Sequence, residues 1–300
     1  MTIEIDAHVH VWTRSIDPQP WIDPDTMAPI DRDFTMGDLA ATLDADDVLA
    51  AIVVQSSNSI AETSRLLAGA TDRVAGVVGW LDLGADVADQ LSRLPEPHRS
   101  KLVGIRHLAH IDPDPEWLTR ARVVTGLAEL GRAGMCFDLV VRWHQLAGAE
   151  SVVRRLPHVR FVLDHLGDPP VGTDEFSLWE RSLRALASHS NVSAKISGVA
   201  GALGRSDWTD DMCRRPIDVA VETFGPDRLM YGSDWPVVEL VGGSARWQRS
   251  VARILADTSP SERRSIYGAT AARVYGLAVC SEQVGPTAGE PVEVDGPAAR

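Results

Sequence analysis

Eight short runs of β-branched and apolar residues recur along the chain. They lie at Ile3–Trp12, Val48–Ser57, Val74–Leu83, Leu102–Leu108, Met135–Arg142, Arg160–Gly167, Val192–Gly198 and Leu229–Pro236. Between most of them the apolar positions take helical spacing, as in residues 59–67 and in Leu146–Leu156. A further helical stretch closes at Phe224, where Gly225-Pro226 is a stop signal. Strands alternating with amphipathic helices predict a parallel sheet with helical crossovers. Eight such units in 300 residues predict one α/β domain, a (β/α)8 TIM barrel. An open doubly wound sheet fits less well, because His8-Val9-His10 follows the first run where a glycine-rich phosphate loop would stand. After the eighth run, helices are expected over Ser244–Asp257 and from the N-cap signal Ser259-Pro260-Ser261-Glu262 to about Leu277. Residues 278–300 have no periodicity, so the domain is expected to span 1–277 and to end in a flexible tail.

Composition narrows the function. The formal net charge of −13 argues against a nucleic-acid partner, since phosphate binding needs a concentrated basic surface. No run reaches the roughly 20 apolar residues of a membrane span, and the N-terminus lacks the basic start of a signal peptide. Cys136, Cys213 and Cys280 are odd in number and widely spaced, which points to a reducing cytoplasm rather than a disulfide framework. Lys101 and Lys195 are the only lysines among 29 Lys and Arg residues, so a lysine at a strand end stands out.

In such a barrel, the C-terminal strand ends carry the chemistry. His8 and His10 share one strand face, so both imidazoles enter the mouth together and can hold a divalent metal. Asp234 ends the eighth run, beside the first where the barrel closes; it suits a third ligand, a general base, or both. His165 has the parity of Phe161 and Leu163, which suggests an inward side chain able to polarise a carbonyl. Arg106 and His107 end the fourth run on opposite faces, so only one can point into the mouth. Arg142 and Lys195 are candidate anion binders, or partners of carboxylates such as Asp138 and Asp164. Gln55 and Trp80 share the mouth as candidate substrate contacts. The loop Trp12–Asp33 is long enough for a lid. His110 and His144 are expected at the surface, with a spare ligand as the alternative for either. No G-x-S-x-G elbow is present, which disfavours a nucleophilic serine.

With these strings in place, the chain resembles the amidohydrolase superfamily, in the branch that holds sugar-acid and dicarboxylate lactonases. The resemblance rests on Ile5-Asp6-Ala7-His8-Val9-His10-Val11-Trp12, Gly104-Ile105-Arg106-His107, Phe161-Val162-Leu163-Asp164-His165-Leu166-Gly167 and Arg228-Leu229-Met230-Tyr231-Gly232-Ser233-Asp234-Trp235-Pro236. With the closing Gly268–Leu277, it covers residues 3 to 277. It implies hydrolysis of a small-molecule lactone, with Asp234 as the base and His8, His10 and His165 around the reaction centre. Arg106 or His107 would hold the substrate. The strand-four lysine that bridges binuclear sites is missing, and so is a strand-five histidine. The resemblance therefore implies one divalent metal, zinc foremost, or none. Decarboxylases share the branch and supply the alternative activity; homodimers are common in it.

Overall fold

The computed structural model describes residues 3–96 and 98–277; the expected tail at 278–300 lies outside the described residues. Eight strands form one sheet in sequential order, every pair parallel. They are β1 (Ile3–Val9), β2 (Val48–Val54), β3 (Val74–Gly79), β4 (Leu102–His107), β5 (Cys136–Leu139), β6 (Arg160–Leu163), β7 (Val192–Ile196) and β8 (Leu229–Tyr231). The sheet curls into a nearly closed TIM barrel. Its last seam is made by backbone beyond β8, where Asp234 N–H donates to His8 O (2.9 Å) and His10 N–H donates to Trp235 O (2.7 Å). Most strands end before the apolar runs do. The remaining residues turn away at the mouth and present side chains there.

Helices cross between the strands, and their starts follow the sequence. Ser59 caps Ile60–Gly69 by accepting from Glu62 N–H, and Thr35 with Asp38 forms a capping box on Met36–Ala45. Ser259 and Glu262 do the same for Pro260–Arg264, which continues through a π-helical turn into Thr270–Tyr275. Among the described residues, no helix is long and apolar enough to cross a membrane.

Two buried layers separate the two faces of each strand. One joins strands to helices and contains Val53, Ile105, Phe137, Leu163 and Ile196 with Leu67, Leu127 and Leu183. The other fills the barrel interior with Ala7, Val54, Val78, Cys136, Val162 and Met230, closed by Val274 and Tyr275 of the last helix. Strand alternation therefore points Gly104, Arg106, Asp138, Val162 and Lys195 inward.

β1 departs from that alternation. Ile5 and Ala7 pack with the interior, which by simple parity would turn His8 outward. The pairing with β2 shifts between Asp6 and Val9, a bulge that inserts one residue and re-aims the chain. After it, Val9 and Val11 face the helices, and His8 and His10 face the mouth.

Candidate active site

The mouth of the barrel holds a cavity of about 630 Å³. His10, Arg106, His110, Arg142, His165, Asp168 and Asp234 are its ionisable lining, with Val140, Val141, Val237 and Leu240 among its apolar walls.

The seam of β8 and β1 forms its centre. Nε2 of His8 and of His10 lie 3.2 Å apart, and Asp234 Oδ1 lies 3.7 Å and 3.4 Å from them. His10 Nδ1–H donates to Val54 O (2.8 Å), which leaves the Nε2 lone pair facing Asp234. Burial drives His8 well below its usual pKa and lowers His10. Burial pushes Asp234 up, but the imidazoles of His165, His10 and His8 outweigh it and hold the carboxyl below the usual range. Asp234 sits at φ 62°, a left-handed conformation that turns its carboxylate back toward β1. Gly232 allows the close approach, because a Cβ there would stand 2.8 Å from His8 Cβ.

Three donors of this kind fit a divalent ion. Their spacings are those of ligand atoms about 2.0–2.2 Å from a shared centre, and three protein ligands leave a position open. His8, Asp164 and His165 form a second possible group. There the carboxylate already pairs with two cations: Asp164 lies 2.9 Å from Lys195 Nζ and 3.0 Å from Arg106 Nη1. The first group fits an ion better, since among the described residues no Lys or Arg pairs with Asp234.

Beneath the cavity runs a buried charged network. Lys195 Nζ contacts Asp138 (2.5 Å) and His8 Nδ1 (3.1 Å) as well as Asp164, and Tyr275 Oη–H donates to Asp138 (2.8 Å). Burial pushes Asp164 up, but Lys195, His8 and Arg106 hold it well below the usual carboxylate range. Arg106 also donates to Gln55 O. Lys195 is thus a buried partner of two carboxylates and does not line the cavity.

The other expected site residues divide. Arg142 lines the cavity and pairs with Asp168 (3.1 Å). Gln55 is fully buried and donates to Arg106 O (3.1 Å), supporting the site from behind. His107 faces the helix layer. It stacks on Trp117 with 3.6 Å between centroids, accepts from Trp80 Nε1 (3.0 Å) and meets Asp112 at 2.7 Å. His107 and Trp80 are not among the cavity residues, so Arg106 is the inward member of its pair.

His165 reaches the cavity by a route that parity does not describe. Phe161 and Leu163 face the helices, so strand alternation would send residue 165 outward too. β6 ends at Leu163, and His165 and Leu166 turn at φ 55° and 53°, which swings the ring inward. Its Nδ1 meets Ser197 Oγ at 2.9 Å, and its ring packs on Gly198, where a Cβ would approach within 2.4 Å. His110, expected at the surface, is half-buried and lines the cavity. The loop over 12–33 contributes Trp21 and Met27 and is tied down by Trp21 Nε1–H to Ser56 O (2.9 Å) and Gln19 to Ser56 Oγ (3.0 Å). It is a fixed wall.

The chain matches the amidohydrolase family model over residues 5–277. It is 35% identical over 256 residues to an L-fucono-1,5-lactonase of Burkholderia ambifaria, covering 81% of this chain and 83% of that protein. An L-fucono-1,5-lactonase of Burkholderia multivorans is 33% identical, covering 92% and 96%. Among solved structures, an amidohydrolase of Burkholderia multivorans with bound zinc superimposes with a TM-score of 0.85 at 32% identity, covering 92% of this chain and 100% of that one. Fold, seam geometry and family match agree, and the chain belongs to the amidohydrolase family.

Proposed function

We propose that this hydrolase binds a neutral, hydroxyl-bearing lactone and opens it by attack of water on the ring carbonyl. The observation that carries the reading is the carboxylate of Asp234, facing a cavity beside the imidazoles of His8 and His10, with His165 and Arg106 in the same lining. The L-fucono-1,5-lactonase relatives support the reaction class.

Asp234 accepts a proton from water as the water oxygen bonds to the carbonyl carbon. The developing oxyanion faces the donors His165 and Arg106, which are fixed by Ser197 and Asp164 and need no reorganisation. The ring C–O bond then breaks, and Asp234 returns its proton to the leaving alkoxide. The product is the open hydroxy acid. His8, His10 and Asp234 would hold a divalent ion, with zinc favoured by two imidazoles and a carboxylate. When bound, such an ion supplies Lewis-acid polarisation of the carbonyl.

Charge supports a neutral substrate. Among the cavity's side chains, the guanidinium groups of Arg106 and Arg142 are matched in number by the carboxylates of Asp168 and Asp234, which leaves no surplus side-chain cation for a substrate carboxylate. The buried, unpaired Cys136 and Cys213 suit a cytoplasmic setting.

The test is acid release from a panel of aldonolactones and carboxylate-bearing lactones, with elemental analysis of the protein before and after chelation. Faster opening of the neutral lactones is expected. Release of carbon dioxide from aromatic acids, with no lactone opened, would instead favour decarboxylation.

A further inference from the structure

His110 stands in the loop after β4 without a hydrogen-bond partner among the described residues, and its Nδ1 is sealed from solvent. Burial, with Arg106, His165 and Arg142 nearby, pushes its pKa down to about 3, so the ring is neutral and carries one N–H. The surroundings choose which nitrogen carries it. With two guanidinium groups close by, the sealed Nδ1 is better kept as a lone pair than as a stranded N–H. The proton therefore sits on Nε2, the nitrogen not sealed from the cavity.

Two further groups line the same cavity. Arg142 uses Nη1 toward Asp168, leaving the rest of its N–H fork free. Asp168, held at φ 56° after the His165 turn, commits Oδ2 to Arg142 and has Oδ1 to offer. His110, Arg142 and Asp168 thus combine two donors and one acceptor without net charge beyond an internal ion pair. A carboxylate ligand would meet Asp168 as well as Arg142; a pair of neighbouring hydroxyls can donate to one and accept from the other.

We infer that His110, Arg142 and Asp168 form a hydroxyl-recognising subsite that holds the polyol part of the substrate away from Asp234. This rests on the lactonase reading and names the part of the substrate that the cavity selects. His110 Nε2–H donates to one hydroxyl oxygen, and the Arg142–Asp168 pair brackets its neighbour.

The test compares an aldono-δ-lactone with unsubstituted δ-valerolactone, in the parent, His110→Phe and Asp168→Asn, with circular dichroism to check folding. In His110→Phe, KM for the aldonolactone is expected to rise about tenfold, the loss of one hydrogen bond worth about 1.4 kcal/mol. Its loss on δ-valerolactone should be clearly smaller. Asp168→Asn unmasks Arg142, so KM for a carboxylate-bearing lactone should fall while KM for the aldonolactone rises. Equal losses on both lactones in His110→Phe, or an unmoved preference in Asp168→Asn, overturn the subsite. If the parent opens no lactone at all, the lactonase reading fails, and the subsite is judged by isothermal titration calorimetry with a non-hydrolysable aldonolactam. Tighter binding by the parent than by His110→Phe then supports it; equal binding, or none, overturns it.

Discussion

Arg106 and His107 are chain neighbours with opposite surroundings. Arg106 faces the barrel interior, where Asp164 and Gln55 fix its guanidinium below an open cavity. His107 faces the helices, stacked on Trp117 and bonded through both ring nitrogens. Both are buried and polar, yet only one has a reacting volume in front of it. Burial of a polar group is therefore not the mark of a site here; convergence on the cavity is. The same distinction separates Lys195, sealed among carboxylates, from His110, which has no hydrogen-bond partner among the described residues.

Several variants would break or sharpen that contrast. The largest stability effect is expected from Lys195→Met, which leaves Asp138 and Asp164 buried with less compensation. Loss of a buried pair's partner costs about 3–5 kcal/mol, to be read from urea unfolding. Arg106→Met should lower kcat on the order of 10²-fold, since it removes a donor from the carbonyl side of the cavity. His107→Phe keeps the Trp117 stack but strands Trp80 Nε1 and Asp112. It should cost about 1–3 kcal/mol of stability and leave kcat far less affected than Arg106→Met does. Similar kcat losses in the two variants would erase the contrast.

The smallest effect is a pH slope. His110 stays neutral in the folded state down to about 3, while the unfolded chain protonates near 6.5. Its contribution to stability is complete above 6.5 and is lost as pH falls from there toward 3. His110→Phe should reduce the acid slope of unfolding free energy by at most one proton, about 1.4 kcal/mol per pH unit. A slope identical to the parent's would mean that His110 is already protonated in the folded protein.

Much of this was legible in the sequence. The period of strand and helix gave eight units, and the spacing of His8, His10 and Asp234 located the seam of β1 and β8. Local backbone and long-range partners were hidden. His8 faces inward only through a bulge, and His165 only through left-handed backbone; neither follows from alternation. The fate of Lys195 depends on Asp138 and Asp164, distant in sequence. His110 lies in a loop, where no periodicity reports direction; its one signal was closeness to the end of β4.

The central claim is that Asp234 is the base of a lactone-opening reaction at the seam. Its most direct test is turnover of one aldonolactone by the parent and by Asp234→Asn under identical conditions, with folding verified. The amide keeps the shape of the carboxylate and cannot accept the proton. A kcat lower on the order of 10²–10⁴-fold in a folded variant is predicted; turnover equal to the parent's would contradict the account.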